Sequence, residues 1–249
     1  MMPLVSIIMP YYRKKDFVKK SIQSIITQNF KNFEIIIVND ELSIESFKIL
    51  KTIKSLDKRI KILNNKANSG AGISRNRGIK FSKGKYIAFC DCDDLWKKKK
   101  LLYQLKFMKK FNIEFCYTDY KVINNIGTKI GIRKAQNKMS FNQLVRSCDI
   151  GMSSVILKKN IFKRFKVYFP NTKTKEDYIL WLKLAKKGIK MHRLNKELSS
   201  WRKLDNSLSS SSIQKIIDGY KVYRKYLKYN IFKSYMCLFT LSLNYLLKK

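Results

Sequence analysis

Acidic residues are scarce in this chain: 17 Asp and Glu stand against 54 Lys and Arg, for a formal net charge of +37. A balance of that size governs association with anionic partners and does not decide a fold. Codon usage in an AT-rich genome explains the preference for Lys over Arg, but not the shortage of acids. Histidine is scarcer still; the lone His192 precedes a strand and reads as structural. The five Cys, at positions 90, 92, 116, 148 and 237, are odd in number and lack a paired C-x-x-C framework. That excludes a zinc ribbon and fits reduced thiols in the cytoplasm. The apolar run Leu4–Met9 is too short for a secretory leader and has no small-residue cleavage site, so it is expected to be the strand that opens the domain. Internal repeats are absent. What the chain has in quantity is apolar and aromatic material, 45% hydrophobic residues with 3 Trp, 14 Tyr and 15 Phe, which excludes disorder. Its 249 residues suit one large α/β domain with a small appendage.

Strand and helix signals alternate strictly up to position 111. Residues 4–9 read as a buried strand stopped by Pro10, and Asp16 to Thr27 as a helix. Phe33–Val38 is a second strand, followed by a helix capped by Ser43. Ile60–Leu63 is a third strand, Ile73–Phe81 a helix, and Lys85–Cys90 a fourth buried strand running into Asp91. Such alternation predicts a mostly parallel sheet flanked by helices, with ligands at the carboxyl ends of the strands, where Asp40, Asp91, Asp93 and Asp94 fall. Beyond 111 the spacing predicts a strand near Phe115–Thr118, a hairpin at Asn124–Gly127, a strand at Ser154–Leu157 and a helix over Lys175–Lys187. In that helix Tyr178, Ile179, Leu182 and Ala185 share an apolar face, with Trp181 read as core. From Ile213 a basic amphipathic tail follows, then Ile231–Leu247, apolar nearly all round but short for a membrane span. The expected division is a catalytic domain over 1–205 and a helical tail over 206–249.

Chemistry concentrates in Asp91-Cys92-Asp93-Asp94. Three of the few acids lie within four residues after a buried strand, and their mutual repulsion calls for a cation or a function. In an extended segment Asp91 and Asp93 would lie on one side. Carboxylates holding a hard divalent cation, Mn²⁺ or Mg²⁺, neutralise a diphosphate before a sugar leaves it. The ordered set Val5-Ser6-Ile7-Ile8-Met9-Pro10-Tyr11-Tyr12, Phe33-Glu34-Ile35-Ile36-Ile37-Val38-Asn39-Asp40, Asn68-Ser69-Gly70-Ala71-Gly72-Ile73-Ser74-Arg75-Asn76-Arg77-Gly78 and Tyr86-Ile87-Ala88-Phe89-Cys90-Asp91-Cys92-Asp93-Asp94-Leu95-Trp96 resembles the family 2 glycosyltransferases, over roughly residues 4–205. The resemblance implies a GT-A fold, a nucleotide-diphosphate sugar as donor and inversion at the anomeric carbon.

Carried over by position, the resemblance places Pro10 and Tyr11 beside base and ribose, and Asp40 on the nucleobase, usually uracil. Arg75 comes near the diphosphate, Asp91 on the ribose and Asp93 on the metal, with Cys92 between them in the donor site. Gly70 and Gly72 would let the backbone pass close to the ligand. Lys175-Glu176-Asp177 ahead of a Trp-containing helix resembles the family's acidic pair: Asp177 would take the proton from the acceptor hydroxyl, with Glu176 on the acceptor side. Ser200-Trp201-Arg202-Lys203-Leu204-Asp205-Asn206-Ser207 resembles a segment that closes over the diphosphate, which makes Arg202 a candidate phosphate contact. One departure is plain: Asn39-Asp40-Glu41-Leu42-Ser43 lacks the Gly that usually turns this loop, and Glu41 would compete for a ribose or repel a phosphate.

Three rivals are weaker. Nucleic acid is expected to bind only unspecifically, because the charge is spread along the chain and no recognition motif appears. A nucleotidyltransferase would carry a Gly- and Arg-rich loop after the first strand, where this chain has Pro10-Tyr11-Tyr12-Arg13. A non-catalytic membrane-peripheral protein would not need Asp40, Asp91, Asp93 and Asp177 together. The basic tail suits an anionic cytoplasmic leaflet, or alternatively its own domain or a dimer partner; the oligomeric state is left open. The expected enzyme therefore works in the cytoplasm, at the inner face of the membrane, on a glycan or lipid-linked acceptor bound for a surface polysaccharide or glycolipid.

Overall fold

In the computed structural model, which describes residues 2–204 and 212–247, β1 (Val5–Tyr11) is the axis of the fold. Its side chains alternate between two faces, as a pleated strand dictates. Val5, Ile7, Met9 and Tyr11 enter one core with α1 (Lys15–Ile26) and α2 (Ile44–Ser55), while Ile8 enters the other. Parallel neighbours follow on both sides: β2 (Phe33–Asn39) and then β3 (Ile60–Asn64) on one, β4 (Tyr86–Phe89) on the other. The helix α3 (Ala71–Phe81) crosses between β3 and β4 and contacts β1 and β2.

Pro10 does not stop β1, contrary to the sequence expectation, because the ring costs no ladder bond there. The Ile8 carbonyl accepts from Cys90 N–H, and the Tyr11 carbonyl accepts from Asp40 N–H. Even-numbered residues of β1 therefore face β4, whose pairing ends at Ile8 opposite Phe89. Pro10 lies past that end, where a missing N–H is tolerated.

After β4 come β5 (Leu95–Trp96), α4 (Lys100–Lys110), β6 (Phe115–Ile123), β7 (Lys129–Arg133), β8 (Lys138–Met139) and α5 (Phe141–Arg146). Then β9 (Ile156–Lys158), α6 (Asn160–Phe165), α7 (Glu176–Lys186) and β10 (Met191–Arg202) complete a sheet in the order β3-β2-β1-β4-β9-β6-β10-β5, with β7 on β6 and β8 on β10. β9 runs antiparallel to both β4 and β6, so β6 and its parallel partner β10 share the direction of β1–β4. This is the mixed, mostly parallel sheet the sequence predicts, and the carboxyl ends of its long strands form one rim.

α7 is buried around more of its circumference than its spacing suggests: Tyr178, Ile179, Leu180, Trp181, Leu182 and Leu184 are all inside. Trp181 stacks edge-on against Phe115 and Phe169, which bears out its reading as core. The tail comprises α8 (Ser212–Lys221), a π-helical segment Val222–Tyr226 and α9 (Ile231–Leu247). Val222, Tyr223 and Leu227 join the core beside α5 and α7, and Tyr223 Oη donates to Val145 O at 2.8 Å. The expected boundary at 205/206 and the residues Asp205-Asn206-Ser207 lie outside the described residues. No helix among the described residues is long and apolar enough to cross a membrane.

Candidate active site

The carboxyl rim gathers the acids. Beyond β4 the chain must reverse to reach β5 at the far edge of the sheet, so Asp91–Asp94 forms a turn closed by Asp94 N–H to Asp91 O at 3.0 Å. The extended segment expected from sequence is absent here, and each carboxylate finds its own partner. Asp91 receives Arg75 Nη2 at 2.6 Å, Asp93 faces Lys14 Nζ at 3.1 Å, and buried Asp94 accepts from Ser153 Oγ at 2.5 Å and Arg202 N–H at 2.9 Å. Burial, with Asp91 close by, pushes the Asp93 carboxyl above its ordinary range against the pull of Lys14. Burial and the charges of Asp93 and Asp91 push Asp94 well up. Cys92 is enclosed, and burial holds its thiol far from ionisation.

Arg75 joins the two halves of the site. It is 4% exposed; one terminal nitrogen donates to Asp91 and the other, at 2.7 Å, to Oε1 of Glu176, 101 residues after Arg75 in sequence. Burial opposes its charge, but Asp91 and Glu176 more than offset this and hold the guanidinium above its usual range. Its Nε is buried without a hydrogen-bond partner. The neighbouring Asn76 clasps the loop before α7, exchanging hydrogen bonds with Phe169 N and O at 3.0 and 2.8 Å.

Glu176 and Asp177 open α7 behind Lys175, a non-glycine residue at φ 63°. Negative charge is favoured at a helix start, and Asp177 Oδ1 accepts Tyr178 N–H at 2.7 Å. Burial raises both carboxyls above their ordinary range, with Arg75 opposing. Asp91 and Glu176 thus meet on one arginine, whose charge also acts on Asp177, in a molecule of charge +37.

Other expected residues are placed with different partners. Asp40 is buried and accepts Ser69 N–H at 2.9 Å, Gly70 N–H at 2.7 Å and Asn65 Nδ2 at 2.6 Å, so its carboxylate shapes the loop ahead of α3. Gly70, at φ 84°, is free on its Cβ side, as a backbone open to a ligand would be. A Cβ on Gly72 would instead meet Pro170 O at 2.8 Å, so close approach there is to the protein itself. Pro10 and Tyr11 end β1 in buried positions. Arg202 is buried, its Nε on Asp93 O at 2.9 Å and its Nη1 on Asn124 O and Asn125 O at 2.9 and 2.8 Å. It clamps the acid turn to the β6–β7 hairpin. The missing Gly after Asp40 is replaced by a side-chain turn: Asn39 Oδ1 accepts Glu41 N–H at 3.1 Å. Glu41 braces Arg13 N–H at 2.8 Å and Ser43 Oγ at 2.9 Å.

Lys14 and Ser153 escape a sequence reading. Lys14 is one lysine among many, and Ser153 lies in the stretch Lys121–Tyr168, which has no legible motif. Ser153 nevertheless holds the turn from below, accepting Asp91 N–H at 3.0 Å and offering its carbonyl to Trp96 Nε1 at 2.9 Å. A cavity of about 680 Å³ at the opposite, amino ends of the strands, lined by Leu4, Ile79 and several lysines, takes no part in this arrangement.

The model of the family described as "Glycosyl transferase family 2" matches residues 6–168, nearly two thirds of the chain. The chain belongs to glycosyl transferase family 2. It is a glycosyltransferase, and two similar Escherichia coli enzymes are close to it in length. One, UDP-Glc:alpha-D-GlcNAc-diphosphoundecaprenol beta-1,3-glucosyltransferase WfgD, is 36% identical over 86% of this chain and 82% of its own. The other, WfaP, carries the same activity in its name and is 33% identical over 99% and 96%. Among solved structures, S. aureus TarS in complex with UDP-GlcNAc superposes with a TM-score of 0.74 at 20% identity, over 95% of this chain and 71% of that one. The fold is that of the GT-A glycosyltransferases.

Proposed function

We propose that this family 2 glycosyltransferase moves a sugar from a UDP-sugar to a hydroxyl of a glycan or lipid-linked acceptor, with inversion. It acts at the inner face of the cytoplasmic membrane, in synthesis of a surface polysaccharide or glycolipid. One observation carries the reading: Arg75 holds Asp91, from the acid turn, and Glu176, beside Asp177, on one rim. Donor and acceptor residues are thereby adjacent, as a single displacement requires. The names of WfgD and WfaP supply the UDP donor and the lipid-diphosphate acceptor by analogy.

In the proposed reaction Asp177 accepts the proton of the acceptor hydroxyl, whose oxygen forms a bond to the anomeric carbon. The bond from that carbon to the diphosphate oxygen breaks, and UDP carries the electron pair away. Asp91 accepts ribose hydroxyls, Asp40 fixes the loop carrying Ser69 and Gly70 beside the nucleotide, and Arg75, near the diphosphate, holds Asp91 in place. Arg202 acts by holding the turn.

Among the described residues no three Asp, Glu, His or Cys side chains come together to hold a metal. Asp93 still fits a hard cation, Mn²⁺ or Mg²⁺, that would take its remaining ligands from phosphate and water. When bound, such a cation offsets the charge gathering on the leaving diphosphate. Lys14, on Asp93, is the group it would displace.

Calorimetry with UDP at moderate salt, with and without Mn²⁺, tests the donor site beside Asp93→Ala. Binding should require the cation and weaken at least about tenfold in the variant, the effect of losing a direct carboxylate ligand. UDP binding that ignores both cation and substitution would remove the metal-assisted donor site from the reading.

A further inference from the structure

The apolar stripes of the tail helices point the wrong way for a protein surrounded by water. In α8, Ile213, Ile216 and Ile217 share one helical face and are 73%, 53% and 42% exposed. The helix's acid, Asp218, is turned inward instead, with 12% of its side chain accessible, and accepts from Thr174 Oγ1. Amphipathic helices of soluble domains do the reverse. In α9, Phe232, Tyr235, Met236, Phe239 and Leu243 recur at helical spacing and are all exposed, Phe232 at 77% and Phe239 at 66%. The two stripes meet, since the rings of Tyr220 and Tyr235 lie 5.0 Å apart. Together they make one apolar face, of a kind that marks an interaction surface.

We propose that this face docks the protein on an anionic lipid bilayer, lying in the interface without crossing it. Charge selects the occupant. From Ser212 to Lys249 the sequence carries eight Lys and Arg and a single acid, Asp218. Apolar residues flanked by cations suit anionic headgroups over acyl chains. A second copy of the chain would bring the same cations against their equals. Through Asp218 and Thr174 the face is tied to the loop that leads into Glu176 and Asp177, so docking would set the acceptor-side acids close to the bilayer. The inference deepens the lipid-linked acceptor reading and rests on it for its purpose, while its test reads binding alone.

The test is flotation of the full-length protein with vesicles of phosphatidylcholine containing about one third phosphatidylglycerol, at roughly 0.15 M salt, where distant charges are screened. Wild type should float with these vesicles and much less with pure phosphatidylcholine. The double variant Phe232→Ser/Phe239→Ser should lose about tenfold or more in partitioning, as removal of two inserted rings requires. Ile213→Ser/Ile216→Ser, on the other helix, should do the same. UDP binding by calorimetry should stay unchanged in both, because none of the four residues touches the rim. Undiminished flotation of both variants would reduce membrane binding to net charge and overturn the proposal. Failure of wild type to float would overturn it too, as would a dimer in sedimentation equilibrium that the same substitutions dissociate. If vesicles bind as expected while UDP does not, the docking face stands and the donor-site reading falls.

Discussion

A carboxylate that is to accept a proton must first be free of one. Burial raises the Asp177 carboxyl, with Arg75 opposing, so its proton departs above the ordinary aspartate value of about 3.9. With Asp177 as the base, turnover should be full well above the raised value and fall as pH drops through it. Asp177→Asn keeps an oxygen for Tyr178 N–H but removes the base. It should lower kcat by about 10²–10⁴-fold, leave UDP binding intact and erase the acid limb of the pH–rate profile. A steady-state pH series on both proteins checks all three. At this scale the sequence was legible in residue identity more than in partnership. The resemblance assigns Asp40, Arg75 and Arg202 to the donor, whereas within the chain Asp40 accepts from backbone amides and Asn65, and the two arginines donate to carboxylates and carbonyls. Periodicity says which face a side chain takes; it does not say what the fold brings opposite from 101 residues away.

Elements whose order depends on local pattern are read well from sequence: the four parallel strands, Ser43 as cap of α2, and the hairpin after β6. Ser43 Oγ does accept Ser46 N–H, at 3.0 Å. Less legible are elements set by distant neighbours. β6 extends to Ile123, beyond its apolar run, because β10 pairs alongside it. One junction has a measurable consequence. At the turn into β4, Gly84 N–H donates to Ser6 Oγ at 2.8 Å, and a Cβ there would lie 2.6 Å from Ser6 N. Ser6 Oγ also donates to buried Glu34, which accepts Lys83 N–H and Lys61 Nζ, both at 2.7 Å. Gly84→Ala should therefore destabilise the fold by about 1–3 kcal/mol. Thermal unfolding would show this as a fall of roughly 2–4 °C for each kcal/mol in a chain of this size.

For the molecule as a whole, the +37 charge acts at a distance and the site acts in contact, and ionic strength separates them. Binding to duplex DNA should fall steeply as salt rises from about 50 to 200 mM, by a factor of up to about 10³ if several phosphates are neutralised. UDP binding should change far less, since its donors are buried or paired at the rim. Fluorescence anisotropy with labelled DNA, beside calorimetry at matched salt, distinguishes the two. A shallow DNA slope would point instead to a built nucleic-acid site.

The order in which a ribosome makes this chain gives the rim a history. Asp91 and Asp93 emerge after their cations, Arg75 and Lys14, but Asp94 emerges before both of its partners: Ser153 is made 59 residues after it, and the Arg202 amide 108 residues after it. Glu176, the second anchor of Arg75, also comes late. The parallel core can assemble on the growing chain, since domains begin to form from their amino-terminal parts during synthesis. Asp94, at the end of the acid turn, stays without its two partners until Ser153 and Arg202 have been translated. A nascent chain halted after the family-matched span at residue 168 would lack β10 from its sheet, and with it the Arg202 clamp, as well as Glu176 and the proposed base Asp177. With Asp177 as the base, activity would begin only once α7 and β10 have been made.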